Sequence, residues 1–306
     1  MRIESASSIG EFVRCPRKYF FRKVLELKVP YVTEEQNIGN IIDCALSEYY
    51  KNQQNEDIAY NAVSRFDLKL TEKESELVYN VISNYFKYDK ENPLPEGNYL
   101  VQTDFFNTDF VDQGVTISGR PDLVIVTEDK IFCVDHKTTS RMWSMEDAML
   151  SFQGEVYSYI LEQFYKKPVE VIFNVILRKY PSYPRINKDG TVSRQRISTT
   201  KKMFIEIIKK VGGNIEDYQD YIDNIVEENY VSRLHVTFDS KATRFNLSNI
   251  LHIMNEMRRT FYYRSPLPIC KTTCPYYQVC SATGNDLNNI LNARQYLPDY
   301  LEKEEG

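Results

Sequence analysis

The stretch SGRPDLVIVTEDKIFCVDHKTTS, residues 118–140, constrains the fold more than any other part of the chain. Two short runs rich in β-branched and aromatic residues, DLVIVT and KIFCVDHKT, are separated by turn-forming residues, a pattern that predicts two consecutive strands. Side chains alternate across a strand, so Asp135 and Lys137 share one face with Ile131 and Cys133 below them, and His136 points the other way. If the strands pair as a hairpin, Asp122 at the head of the first and Asp135 near the end of the second approach each other. Two such carboxylates form an oxygen-rich site suited to Mg2+ or Mn2+. A lysine beside that site helps to orient or deprotonate a water and steadies charge on a phosphate. The apolar run IFCV carries Asp135 straight out of a sheet interior, where an unpaired carboxylate is costly.

The flanking sequence supplies the framework. Ser8 followed by Glu11 has capping-box spacing and predicts a helix start, and Pro16 suits the first turn of a second helix through RKYFFRKVLEL. NIGNIIDCALSEYY sets Ile38, Ile41, Ile42, Ala45 and Leu46 on one helical stripe, and helical sequence continues to about Tyr88 before the turn-rich ENPLPEGN. NYLVQTDFF and VTISG read as strands ahead of the central pair. After it, MEDAMLSFQGEVYSYILEQFY reads as one amphipathic helix and VEVIFNVIL as a buried strand. Helical sequence then runs to Glu228, RLHVTF reads as one more strand, and a helix is predicted from Asn246 to Tyr263. This order gives an α/β or α+β layout with a mixed sheet and no clean domain boundary. The helix after the hairpin carries Gln153 and Tyr157 four residues apart, on one face, and both can hydrogen-bond a phosphate or hold a metal-bound acid.

At 306 residues the chain is long enough for a sizeable core, and its net charge of −5 argues against coating nucleic acid through overall charge. A local basic groove is compatible with that balance. Arg178, Lys179, Arg185, Lys188, Arg194, Arg196, Lys201 and Lys202 face a single acid, Asp189, with Tyr180 and Tyr183 interleaved, and Arg14, Arg17, Lys18, Arg22 and Lys23 form a second concentration. Basic residues with aromatic platforms suit single-stranded nucleic acid. No apolar run approaches the roughly 20 residues of a membrane span, and the opening MRIESASSIG lacks a signal-peptide core, so a cytoplasmic protein without membrane partners is expected. Serine-hydrolase, dinucleotide-binding, Walker A and zincin motifs are all absent from the sequence.

Cys270, Cys274 and Cys280 form a C-x3-C-x5-C cluster that leaves a four-thiolate site one ligand short, and Cys15 in VRCPRKYFFRK is the natural fourth. Thiolates suit zinc and iron–sulfur clusters alike, so the chemistry leaves both open. Cys44 and Cys133 sit on apolar stripes and read as buried structural residues.

Gly119 to Asp122, Asp135-His136-Lys137 and Gln153 to Tyr157, taken in this order, resemble the PD-(D/E)XK nuclease superfamily. The resemblance is to its RecB-like branch, which includes the iron–sulfur nucleases of CRISPR adaptation and the AddB-type repair nucleases. It implies an α/β restriction-endonuclease-like core, a mixed β-sheet flanked by helices, with N- and C-terminal helical parts joined by a four-cysteine cluster. The chain would then be one nuclease domain over 1–306: a helical part at 1–95, the catalytic sheet at 96–180, the basic loop and helices at 181–264, and a cysteine-rich clasp and tail at 265–306. By the same resemblance Asp122 and Asp135 bind Mg2+ or Mn2+, the carbonyl of His136 completes the site and Lys137 is catalytic, with Gln153 and Tyr157 positioning substrate. Cys15, Cys270, Cys274 and Cys280 would hold a 4Fe–4S cluster, with zinc as the alternative. The family usually carries a metal-binding histidine four residues after a glycine on an early helix. Here Asp43 follows Gly39 at that spacing, and an aspartate suits a hard cation. Two functions follow. One is a metal-dependent DNA exonuclease acting on single strands or free ends, with a recombination or CRISPR-adaptation protein as partner. The other is a DNA-binding or assembly module on a nuclease fold, with hydrolysis weakened by Asp43 in place of the histidine.

Overall fold

The computed structural model describes residues 2–28, 34–66, 70–101, 106–179, 181–195, 199–225, 230–259, 262–268 and 270–282. Arg196, Tyr180 and the acidic end of the chain lie outside them. The chain opens with a short strand, β1 (Arg2–Ser5), followed by helices α1 (Ala6–Arg14) and α2 (Pro16–Tyr19) and a π-helical turn over Phe20–Val24. Pro16 starts α2 as its sequence position predicts. The cap of α1 is Ser5 rather than Ser8: the Ser5 hydroxyl accepts the Ser8 N–H at 3.1 Å, and the Ser8 hydroxyl donates to Glu4 at 2.9 Å. Glu11 is drawn away by Lys18, 3.1 Å distant, so no capping box closes.

Three helices follow, α3 (Glu34–Lys51), α4 (Glu56–Ser64) and α5 (Glu72–Glu91). The predicted stripe of α3 is buried, and with Val78, Val81, Ile82 and Phe86 of α5 it covers one face of a five-stranded sheet. That sheet runs β2-β5-β6-β7-β8, with β2 at Asn98–Val101, β5 at Leu123–Val126, β6 at Ile131–Thr139, β7 at Val169–Leu177 and β8 at Val231–Val236. Only its β6–β7 pair is parallel. A second sheet, β1-β4-β3, joins β3 (Phe106–Phe110) and β4 (Val115–Gly119) to the N-terminal strand. The single expected sheet is therefore two, and NYLVQTDFF is divided between them, with 102–105 outside the described residues.

The opposite face of the large sheet is covered by α7 (Phe152–Tyr165), with α1 and α10 (Ser240–Arg259) beside it. The segment read as one amphipathic helix is in fact two, α6 (Met145–Met149) and α7, because Ser144 and Ser151 each cap a new start. Nor is α7 amphipathic: Val156 to Leu161 are all buried, since it is wedged between the two sheets. Close approach there depends on two glycines. A β-carbon at Gly119 would stand 2.9 Å from the Tyr157 ring, and one at Gly154 would strike Phe173 of β7. Gly154→Ala is expected to lower unfolding free energy by about 1–3 kcal/mol in urea denaturation, the usual cost of overpacking.

Between β7 and β8 the chain forms a small unit with its own apolar cluster around Phe204, Ile208, Tyr218 and Ile222. Its long predicted helix is α8 (Lys201–Lys210), a 3-10 turn and α9 (Gln219–Asp223); Gly212, at φ +72°, turns the chain after α8. The helix predicted from Asn246 begins earlier, at Ser240, where Asp239 accepts the Ala242 N–H at 2.8 Å. Two short helices, α11 (Cys270–Thr273) and α12 (Tyr277–Ser281), close the described chain. Among the described residues no helix is long and apolar enough to cross a membrane.

Candidate active site

The β5–β6 hairpin forms with Leu123 opposite Val134, which sets Asp122 beside Asp135 at the end of the sheet. Strand alternation sorts the side chains as the sequence predicts. Ile131 and Cys133 join the core beneath α7, and Phe132 and Val134 join the core beneath α3 and α5. Asp122 is fixed by the backbone N–H of His136, which donates to its Oδ2 at 2.7 Å. Asp135 is 2% exposed. Lys137 Nζ lies 2.5 Å from Asp135 Oδ2, an ion pair on a carboxylate almost wholly withdrawn from solvent.

From α7 a one-way chain of donors holds the lysine. Lys137 Nζ donates to Gln153 Oε1 at 2.8 Å, Gln153 Nε2 donates to Tyr157 Oη at 2.9 Å, and the Tyr157 hydroxyl donates to the Arg120 carbonyl at 3.3 Å. Because each donor has one acceptor, the Gln153 amide has only one orientation that serves. Gly119 makes room for the Tyr157 ring, which gives the first glycine of the G-x-x-D segment a physical reason.

The electrostatics match this geometry. Burial first, and then the charges of Asp135 and Asp43, push the Asp122 carboxyl well above the usual carboxylate range, against the pull of the His136 N–H and Lys137. Asp43 thus acts on the pair from α3. Burial works to strip Lys137 of its proton, but contact with Asp135 and the charge of Asp122 outweigh it and hold the ammonium above its usual range. Burial and the Asp135 charge also raise Tyr157, which stays neutral.

The His136 side chain leaves the site, as predicted, and enters a buried network that the sequence does not show. Its ring stacks on Tyr50 with centroids 5.8 Å apart and meets the edge of Tyr85. Asn174 of β7 lies 3.2 Å from Nδ1, donates to Tyr85 Oη at 2.9 Å and accepts from Arg233 of β8 at 2.8 Å. Arg233 in turn pairs with Asp89, which also accepts Tyr49 and Tyr50 hydroxyls at 3.0 and 2.9 Å. The network fastens α3 and α5 to the strand that carries Asp135 and Lys137. Burial holds the ring neutral, its pKa lowered to about 3.

Among the described residues no three His, Cys, Asp or Glu side chains converge as a metal cage. Mg2+ seldom uses one, because it keeps several waters and takes one or two carboxylates plus phosphate oxygens. The crowded Asp122–Asp135 pair, two buried carboxylates side by side at the end of the hairpin, has the chemistry of such a site. Cys15, Cys270, Cys274 and Cys280 line a second cavity of about 80 Å3, together with Arg17, Lys18 and Arg264. Its walls are tied by Arg17 N–H to Tyr263 O at 3.0 Å and Tyr276 Oη to Leu27 O at 2.9 Å, and the Leu267 N–H donates to Cys270 Sγ at 3.3 Å. Of the predicted DNA-binding cations, Arg178 follows β7 at the catalytic end of the sheet, its N–H donating to Thr139 O at 2.8 Å and its Nε buried without a partner among the described residues. Lys179 is half-buried beside it; Arg185 and Lys188 are exposed on the loop, and Arg194 folds back over the Tyr218 ring.

Among the solved structures that resemble the chain are two of similar length. One is described as SSO0001, 10% identical, with a TM-score of 0.34 over 92% of this chain and 87% of that one. The other is a "Putative exonuclease" from Eubacterium rectale, 12% identical, with a TM-score of 0.37 over 88% of this chain and 92% of that one. No curated protein matches significantly. The sequence profile of the PD-(D/E)XK nuclease superfamily matches residues 4–281, a span that takes in the hairpin acids, Lys137, Gln153 and all four cavity-lining cysteines, and the chain belongs to that superfamily.

Proposed function

We propose that the chain is a Mg2+- or Mn2+-dependent deoxyribonuclease of the RecB-like branch, hydrolysing phosphodiester bonds in single-stranded DNA or at DNA ends. The observation that carries this is Lys137 Nζ, held between Asp135 Oδ2 at 2.5 Å and Gln153 Oε1 at 2.8 Å, with Asp122 across the hairpin. Asp122 and Asp135 would hold the cation, with Asp43 and the His136 carbonyl completing its shell. When bound, the cation supplies Lewis acidity toward the phosphoryl oxygen and lowers the pKa of a bound water. Lys137, charged as it stands, donates hydrogen bonds to charge developing on the phosphate rather than acting as a base. Gln153 aims the ammonium, and neutral Tyr157 fixes Gln153. Arg178 and Lys179 add positive charge next to the catalytic end of the sheet, and exposed Arg185 and Lys188 add more on the loop that follows, where they would attract DNA. Intact Asp122, Asp135, Lys137 and Gln153 favour the hydrolase over an inert module.

We also assign the four-cysteine cavity to a 4Fe–4S cluster that clasps the two ends of the chain. Supporting this are four thiols that line one cavity, although no three of them converge as a metal cage as they stand, and the basic residues Arg17, Lys18 and Arg264 that would offset the cluster's charge.

With Mn2+, labelled single-stranded DNA is expected to be degraded, and Asp135→Ala or Lys137→Ala to slow this by at least about 10²-fold while binding persists. If wild type and both variants bind DNA equally and none cuts it, the hydrolase reading falls.

A further inference from the structure

Lys137 and Gln153 also stand on the wall of a groove of about 740 Å3 that runs between α1 and the turn joining α6 to α7. Its lining carries five cations, Arg14, Lys18, Arg22, Lys137 and Arg141, against two acids, Glu11 and Asp147, in a chain whose net charge is −5. Lys18 lines both this groove and the cysteine cavity, so the positive lining extends from the catalytic lysine toward the clasp.

The groove is apolar where it is not basic. Trp143 and Phe152 line it as half-buried rings, Trp143 resting on Phe173 with centroids 5.6 Å apart. Leu150, two residues before α7, is 84% exposed, and Val13 of α1 is 50% exposed on the other side. Among the described residues nothing covers this leucine at the mouth of a polar site. Glu11 adds a second sign of an occupant. Its Oε1 lies 3.1 Å from Lys18 and 3.4 Å from Arg22, while Oε2 is buried without a hydrogen-bond partner among the described residues. A buried carboxylate oxygen repels phosphate and asks for a donor, such as a base N–H or a sugar hydroxyl.

We infer that this groove binds a single DNA strand on its way to Lys137, with phosphates along the cations and unstacked bases on Trp143, Phe152 and Leu150. A single strand satisfies every part of the lining. Its phosphates meet Arg14 and Arg22, its bare base faces meet the apolar side, and its base edges offer donors to Glu11. A duplex keeps its bases stacked and paired, and would leave Leu150, Trp143 and the Glu11 oxygen unserved. The inference rests on the proposed nuclease reading for the direction of the strand, and its test does not require cleavage.

Trp143 is the only tryptophan of the chain, so its fluorescence reports this groove alone. Titration of the full-length protein in EDTA with an oligothymidylate of about 20 nucleotides is expected to quench Trp143 saturably, whereas a blunt duplex of equal length leaves it unchanged. Leu150→Ser, at an exposed position, is expected to weaken binding at least about fivefold, the effect of leaving roughly 40 Å2 of apolar surface uncovered. Arg14→Glu is expected to flatten the slope of log K against log salt by about 0.7, the value for one phosphate contact on a single strand. Binding seen by anisotropy with no change in Trp143 emission would overturn the groove, as would wild-type affinity in both variants or equal quenching by duplex. The two readings fail separately. Quenching without hydrolysis in Mn2+ removes the nuclease proposal and leaves the groove, and hydrolysis without quenching does the reverse.

Discussion

Asp122→Asn is expected to abolish cleavage and, in metal-free protein near about pH 8, to raise the melting temperature. Burial and two neighbouring acids hold the Asp122 carboxyl well above its ordinary range, so its charge is a burden on the folded state. Asparagine keeps an oxygen for the His136 N–H, now 2.7 Å from Asp122 Oδ2, and removes that charge. The sign follows from linkage. Between the ordinary value of 3.8 and the raised folded value, the native state binds more protons than the unfolded state, so wild-type stability falls as pH rises through that window. The advantage of the variant should therefore be absent below about pH 3.8, open as pH rises, and level off above the folded pKa. Mn2+ should reverse the order. Saturating metal stabilises only a protein that binds it, by about 2.7 kcal/mol at 100 times Kd, so the wild type gains and the variant does not. Differential scanning fluorimetry across pH, with and without Mn2+, reads all three. A variant less stable than wild type at every pH would show that the Asp122 charge is not strained, and the cation site would lose its electrostatic basis.

What the sequence disclosed and what it hid divide along physical lines. The hairpin, α3 and β7 were legible because their signals are local: alternation around Asp135 and Lys137, a helical stripe from Ile38 to Leu46, an unbroken apolar run from Val169. Strand β1 was not, since four residues carry little pattern and its parallel partner, Val115–Ser118, stands far along the chain. The break at Leu150 was hidden because apolar residues continue through it, although Ser144 and Ser151 were visible cap candidates. The network behind His136 was out of reach altogether. Its partners lie up to 144 residues apart, and no spacing rule joins Asp89 to Arg233. Nor could the sequence choose between Lys137 as base and as charge donor. That choice turns on how burial weighs against Asp135 and Asp122, a balance that no sequence pattern carries.

On the proposed four-cysteine clasp, Cys15→Ala is expected to cost more stability than Gly154→Ala, because it would remove a ligand that joins the N-terminal helices to the C-terminal segment. A site that exists only in the folded state contributes its binding free energy to folding, a term that reaches about 10–16 kcal/mol for structural zinc. Cys15 lies between α1 and α2, next to Tyr19, whose hydroxyl donates to buried Glu4 at 2.6 Å and also meets Arg258 of α10. Loss of the clasp therefore loosens the helices that wall the groove as well as the C-terminal segment. Protein purified without oxygen should be brown, with iron and sulfide in equal amounts. Cys15→Ala should be colourless, melt well below wild type and be cut by protease near 262–282. Cys274→Ala should give the same phenotype, and the double variant should lose no more than either alone, since a site missing one ligand is already open. Cys133→Ala should keep the colour, because Cys133 lies in the core beneath α7 and burial keeps it a neutral thiol. Colourless wild-type protein with stoichiometric zinc would keep the clasp and change its metal. A metal-free wild type that melts like Cys15→Ala would remove the clasp, leaving the superfamily membership and the hairpin acids untouched.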